Sequence, residues 1–386
     1  MNRLAAIFTV LAIVFTLVPS EATAGEVVCT TATLYAGNPN YEKPQDWPVP
    51  GKPALGGIPL PWWGFVFQKD KVIVAAQREL WTIDMSAKPL VHKRFMGKRE
   101  RATRFNAGSC KKARLVTITG MALMPDGSLV VADSNGNGLL RVIDPLGPKC
   151  AVKYFVGNTK AFTGIDLYKP PNRGDIDGKG GAAQFRHPQW PVAGEKGEVY
   201  FVDLMNKKVK KAMPDGTVTT VARVPTNAIF GMTRIGKKLY LVGNTTTEGV
   251  VWEVNTENGE VNEIVKEREG KWGGKSRSST ALSAITHIDN EIIVANHGYL
   301  FQVSVEHGTI KKIAGNGDWR ARSIPKDFNW SAETPALEMP LPYQMSTRMT
   351  VNSTNFLGYH DGYIYYSGAA AKRTPFTARI ACTVKK

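Results

Sequence analysis

The chain alternates short apolar runs with polar turns. In Gly197 to Lys211 (GEVYFVDLMNKKVKK) an apolar run, Val199 to Val202, stops at Asp203, and a second run follows a polar turn. The same order recurs in Asp126 to Pro145 (DGSLVVADSNGNGLLRVIDP), with Asp133 in the place of Asp203. Gly236 to Asn255 repeats it with Asn244 there, and Asp289 to Gly308 with Asn296. Lys69 to Lys88 is a weaker copy, and His360 to Lys386 is the last and least regular. Short runs rich in Val, Ile and Tyr between turn residues predict strands. Outside the N-terminal stretch, no window holds the i, i+3, i+4, i+7 spacing of an amphipathic helix. About six such units, spaced by roughly 40–50 residues, predict one all-β domain over 25–386, a six-bladed β-propeller. One small sheet cannot bury both faces, whereas sheets packed radially bury them and expose only short edges.

Residues 1–24 follow another pattern. Arg3 precedes an apolar stretch from Leu4 to Val18, Pro19 breaks it, and Ala22-Thr23-Ala24 stands before Gly25. This reads as a signal peptide cleaved after Ala24. The stretch is shorter than the ~20 residues of a membrane span. The expectation is a periplasmic or extracellular protein with no transmembrane segment after processing. Gly25 rather than Cys at the cleavage point argues against a lipid anchor.

Composition adds two facts. With 43% hydrophobic and 21% charged residues the chain is globular rather than disordered. Its formal net charge is +16, which loss of Arg3 and Glu21 leaves unchanged. For an exported chain this points to an anionic envelope component, glycan or protein partner, not to nucleic acid. Cys29, Cys110, Cys150 and Cys382 are an even set, so two disulfides are expected, with three pairings open.

Asp175 to Ala222 (DIDGKGGAAQFRHPQWPVAGEKGEVYFVDLMNKKVKKAMPDGTVTTVA) resembles an NHL repeat. The likeness lies in the Gly-rich loop, the Ala…Phe…Pro lead-in, Gly197 before the second strand, Val202-Asp203, Asn206, and the turn Pro214-Asp215-Gly216. Ile313 to Pro342 resembles the loop part of another copy. The resemblance, to exported bacterial NHL-repeat β-propellers, implies six blades closed by pairing of the terminal strands. Glu26 to Gly37 then supplies an outer strand beside Thr377 to Val384. That closure implies a Cys29–Cys382 bridge, leaving Cys110–Cys150, and on the chain-entropy model the bridge that closes the longer loop stabilises more.

Candidate chemistry is sparse. Asp133, Asp203, Asn244 and Asn296 could form a ring of oxygens at the channel, but such residues also satisfy the turn that follows a strand. Asp175 to Gly178 (DIDG) starts like a calcium loop and lacks the later ligands. His187 stands just before an innermost strand and His297 just after a second strand; with Asp133 and Asp203 they are the catalytic candidates. These are too few histidines for a converging zinc set, so no metal and no cofactor are expected. Lys207, Lys208, Lys210 and Lys211 have no aromatic among them for base stacking and are expected to form a solvated strand face.

Long connections between blades are the more informative feature. The connection at 97–115 carries Lys98, Arg99, Arg101, Arg104, Lys111, Lys112 and Arg114 against Glu100. With 158–187, 267–280 and 315–342 it holds more than half of the net charge of +16. Trp62, Trp63 and Trp190 fall at the starts of innermost strands, and Trp272, Trp319 and Trp330 in the loops. Basic charge beside aromatic planes suits an anionic ligand with ring faces. The leading reading is an exported binding module using Lys98, Arg99, Arg101, Arg104, Trp62, Trp63 and Trp190. The alternative is a propeller hydrolase or lyase, metal-assisted or not, with its site at the channel.

Overall fold

Each repeat unit folds as one antiparallel sheet, and six sheets are set around a common axis. The computed structural model describes residues 25–37, 64–76, 78–87, 90–98, 106–158, 173–245, 248–267, 282–296, 298–317, 328–329, 332–341, 356–369 and 375–385. From the axis outward, blade 1 is Phe65–Gln68, Lys71–Ala76, Glu79–Asp84 and Val91–Gly97. Blade 2 is Ile118–Leu123, Leu129–Asp133, Gly138–Ile143 and Ala151–Val156. Blade 3 is Pro188–Ala193, Val199–Asp203, Lys208–Ala212 and Thr217–Arg223. Blade 4 is Ala228–Ile235, Lys238–Asn244, Gly249–Asn255 and Val261–Glu267. Blade 5 is Ala284–Ile288, Glu291–Asn296, Tyr299–Val303 and Ile310–Ala314. Blade 6 is Phe356–His360, Tyr363–Ala369, Pro375–Lys385 and the N-terminal strand Glu26–Gly37. The innermost strands each meet the next around the axis, blade 6 meeting blade 1.

The core is divided among the blade interfaces. Second strands such as Leu129–Asp133, Val199–Asp203 and Glu291–Asn296 are buried along their whole length, because neighbouring sheets cover both faces. That is why they read as continuous apolar runs and not as alternation. Val130 and Leu139 of blade 2 pack with Phe185 and Phe201 between blades 2 and 3. The two rings meet edge to face at 4.9 Å. Burying one such side chain contributes about 1.5–3 kcal/mol. Tyr35 and Tyr365 of blade 6 pack with Val72, Val74 and Trp81 of blade 1, so the ring is closed by a core like the others.

Closure is also covalent. Cys29 sits opposite Cys382 in the register of the first and last strands, and the two form a disulfide. Cys110 and Cys150 form the second. Both pairings agree with the sequence expectation, and two disulfides mark a chain that folds in an oxidising compartment. Among the described residues no helix is long and apolar enough to cross a membrane.

Two expectations are corrected. The long connections do not all stay as loops on one face. Gly108–Ser109, Gly178–Lys179 and Thr334–Pro335 each add a fifth, two-residue strand to the outer edge of blades 2, 3 and 6. Cys110–Cys150 fastens the first of these, and Cys110 N also donates to Cys150 O at 3.0 Å. Nor is the lysine tract a solvated face throughout. Lys210 is wholly buried, and its Nζ reaches Asp177 Oδ1 at 2.7 Å, while Lys208 Nζ reaches Asp175 Oδ2 at 2.7 Å. The carboxylates that resemble a calcium loop therefore hold lysine ammonium groups from the neighbouring strand.

Candidate functional site

Strand register puts the recurring polar residues on one face of the ring. Asp133 pairs with Ile118, Asp203 with Pro188 and Asn244 with Ala228, so each second strand ends where its innermost strand begins. Outer strands finish on the same face, as Gly97 does opposite Glu79. Lys98 follows and is exposed there.

The two aspartates are clasps. Asp133 is fully buried and accepts N–H bonds from Val116 at 2.9 Å, Thr117 at 2.8 Å and Gly136 at 3.1 Å. One carboxylate thus joins the strand end, the next turn and the segment leading into the innermost strand. Asp203 accepts from Arg186 N at 2.7 Å and Asn206 Nδ2 at 2.7 Å. Asn206 also donates to Gly174 O, which explains an Asn three residues after Asp203. Burial pushes both carboxyls up to about 6, against the hydrogen bonds that favour their ionised forms. Asn244 differs: its backbone O accepts from Asn227 N and Thr226 Oγ1, and its buried side-chain Oδ1 has no partner among the described residues. Asn296 is buried at the matching place in blade 5.

His187 lies between these clasps and is almost fully buried. Its Nδ1 is 3.0 Å from Ser134 Oγ and its Nε2 is 3.0 Å from Arg173 Nη2. Guanidinium only donates, so Nε2 accepts and the ring proton sits on Nδ1, which donates to Ser134 Oγ. In this tautomer the imidazole cannot take a proton from Ser134. Burial, with the charges of Arg173 and Arg186, lowers the His187 pKa to about 4 and keeps the ring neutral. Its backbone N donates to Asn137 Oδ1 at 3.2 Å. Ser134 and Asn137 were not singled out from the sequence, and Arg173 stood out only as one of the basic residues of the 158–187 connection and as the start of an Arg-Gly-Asp tripeptide. The DSNGNG turn held a signal for two of them, since polar side chains there must find partners once buried.

Beside this network the innermost strands bulge. Register slips between Ile118 and Met121, between Gln189 and Val192, and between Ile229 and Gly231, in blades 2, 3 and 4. Thr119, Trp190 and Phe230 stand at these bulges, a feature common next to functional sites. Thr119 Oγ1 donates to Pro188 O at 3.1 Å and ties two innermost strands together. Gly120 (φ 148°) permits the contact, since a Cβ there would stand 3.1 Å from Trp190 N. His187 (φ 62°) and Trp190 (φ 46°) both adopt the left-handed conformation, uncommon for non-glycine residues. Trp190 is half-buried and packs against the core between blades 3 and 4.

Trp62, Trp63, Arg99, Arg101, Arg104, His297, Trp272, Trp319 and Trp330 lie outside the described residues, as does the 1–24 stretch. Lys111 and Lys112 are exposed beside the outer edge of blade 2, and Arg114 Nη1 donates to Lys112 O and Ala113 O. Among the described residues no three His, Cys, Asp or Glu side chains converge as a metal site.

No family model matches the chain, and no curated protein matches it by sequence. Solved structures do resemble it. An auxiliary nutrient binding protein from Bacteroides thetaiotaomicron VPI-5482 is 9% identical, with a TM-score of 0.57 over 93% of this chain and 77% of its own. One from Bacteroides ovatus ATCC 8483 is 12% identical, with a TM-score of 0.56 over the same shares, 93% and 77%. A Bacteroides thetaiotaomicron protein of unknown function is 11% identical, with a TM-score of 0.58, again over 93% and 77%. At these identities the likeness is one of fold.

Proposed function

We propose that the protein is an exported binding module whose contact surface is the face where the innermost strands begin. The basic, Trp-bearing loops of that face engage an anionic envelope component, glycan or protein. The observation that carries this reading is the commitment of the polar groups beneath the loops. Asp133 and Asp203 clasp backbone and turn, and both nitrogens of His187 are engaged. Asp133, Asp203 and His187 thus hold the face in shape and are not free to act as bases, which favours binding over hydrolase or lyase chemistry at this face.

Contact then falls to Lys98, Arg99, Arg101 and Arg104, with Trp62, Trp63 and Trp190 as aromatic anchors. Trp190 supports this, being an indole that packs on the core yet stays partly exposed, in a left-handed conformation on an innermost strand. Such strain gathers at functional sites. We read the repeat as NHL-like on the motif residues from Asp175 to Ala222, of which Asp203 and Asn206 form a hydrogen-bonded pair. The test is retention of the oxidised protein on an anionic glycan resin and on vesicles containing anionic lipid, at low and high salt. Glutamate at positions 98, 99, 101 and 104 together should abolish a salt-sensitive retention. Unchanged retention overturns the reading.

A further inference from the structure

Glu79, Glu253 and Glu291 are almost fully buried, at 1%, 6% and 4% exposure. The first two have a cationic partner: Arg94 Nη1 lies 2.7 Å from Glu79, and Lys238 Nζ lies 2.9 Å from Glu253. Glu291 is held differently. Its Oε1 accepts from the backbone N of Gly25 at 2.7 Å, and its Oε2 from Gln302 Nε2 at 2.7 Å. Among the described residues no Lys, Arg or His side chain stands within ion-pair distance of it. A carboxylate so buried calls for a counter-charge.

Gly25 is gripped from both sides. Gln302 Nε2 also donates to Gly25 O at 2.6 Å, and Gln302 Oε1 accepts from Val27 N at 3.0 Å. Blade 5 thus devotes two buried side chains to the start of a strand that belongs to blade 6. The place fits glycine alone without adjustment, since a Cβ would stand 2.3 Å from Val384 Cγ1. Gly25 is also the residue that follows Ala22-Thr23-Ala24, the small-residue pattern of a cleavage site.

We propose that Glu291 and Gln302 form a binding site for the free α-ammonium of Gly25, created by hydrolysis of the Ala24–Gly25 peptide bond. A small-residue-specific peptidase adds one water across that bond. The Ala24 carbonyl leaves as a carboxylate on residues 1–24, and the Gly25 nitrogen gains protons to become an ammonium. The nitrogen that already faces Glu291 then carries the missing positive charge. The mature end of the chain is bound across the seam between blades 5 and 6, four residues before the cysteine that closes the ring. This inference stands apart from the identity of any ligand.

The exported protein should begin at Gly25, read by N-terminal sequencing and intact mass; any other first residue overturns the proposal. Acylation of the native protein with an α-amine-selective reagent at neutral pH should be at least about tenfold slower than of the unfolded chain, since one unit of raised amine pKa lowers the reactive fraction tenfold. Equal rates overturn it. Glu291→Gln should restore the labelling rate, and an unchanged rate overturns it. Should that variant not fold, a chain that retains Ala24 ahead of Gly25 replaces it. It should melt several degrees below the chain that begins at Gly25, and equal melting counts against the site.

Discussion

Lys210 Nζ lies 2.7 Å from Asp177 Oδ1 and 3.4 Å from Asp175 Oδ1, with the lysine shut away from water and the aspartates at the surface. Thr220 Oγ1 accepts from the same ammonium at 3.0 Å. Burial would raise both carboxyls, but the lysines hold them below their usual value. Lys210→Met should be tolerated better than Asp175→Asn combined with Asp177→Asn. The methionine fills the volume without a charge, while the double change strands a buried ammonium. The double variant should lose about 3 kcal/mol or more, and Lys210→Met about 1–2 kcal/mol, measured by urea unfolding.

His187 gives a pH prediction. Its folded pKa, about 4, lies below the ordinary 6.5, so the unfolded chain takes up the proton first as pH falls. Its contribution is complete above pH 6.5 and is lost as pH drops toward 4, about 3 kcal/mol in all. Asp133 and Asp203, raised to about 6, act in the opposite sense over that range. The wild type must therefore be compared with His187→Gln. Its stability relative to that variant should fall steadily between pH 6.5 and 4 and stay flat above 7, in parallel denaturation series.

The two disulfides should not be equal. Cys29–Cys382 closes 353 residues and Cys110–Cys150 closes 40. On the chain-entropy model, serine replacement of the first pair should cost about 2 kcal/mol more than replacement of the second. Denaturant midpoints of the two double variants test this. The second pair, which fastens only an edge strand, should in addition leave most of the ring protected from hydrogen exchange.

Gln189 is buried at the start of the blade 3 innermost strand, and its Nε2 has no acceptor among the described residues. Leaving a buried donor unpaired costs about 1–3 kcal/mol. Gln189→Met should therefore match or exceed wild-type stability in a thermal melt. A drop of several degrees would mean that the amide is bonded in solution.

The propeller was legible because its repeat imposes the same turn chemistry in each blade, and Asp133, Asp203, Asn244 and Asn296 marked four of them. The terminal strands were legible for a related reason: a ring needs its ends joined. The fifth strands were not, because two residues such as Gly108 and Ser109 carry no periodicity. Lys210 was misread because its carboxylates lie 33 and 35 positions earlier in the chain, and a charge run with distant partners looks like a charge run in water. The surroundings of His187 were hidden likewise, being assembled from Ser134 of one blade and Arg173 of a connection. The basic connection at 97–115, which composition brought forward, has Arg99, Arg101 and Arg104 outside the described residues.

The two-residue edge strands bear on how the rim resists edge-to-edge pairing. They cover the outer strands Ala151–Val156, Thr217–Arg223 and Glu26–Gly37, which carry little charge. Among the described residues the other three outer strands have no such cover, and each carries two or three charges: Lys93 and Arg94; Glu263, Lys266 and Glu267; Lys311 and Lys312. An open strand edge invites a second molecule to add its own strand, and charge or a covering segment prevents it. The perimeter divides that protection between two devices, so a chain stripped of the Cys110–Cys150 tie would be prone to self-association from blade 2 before any other part of the rim.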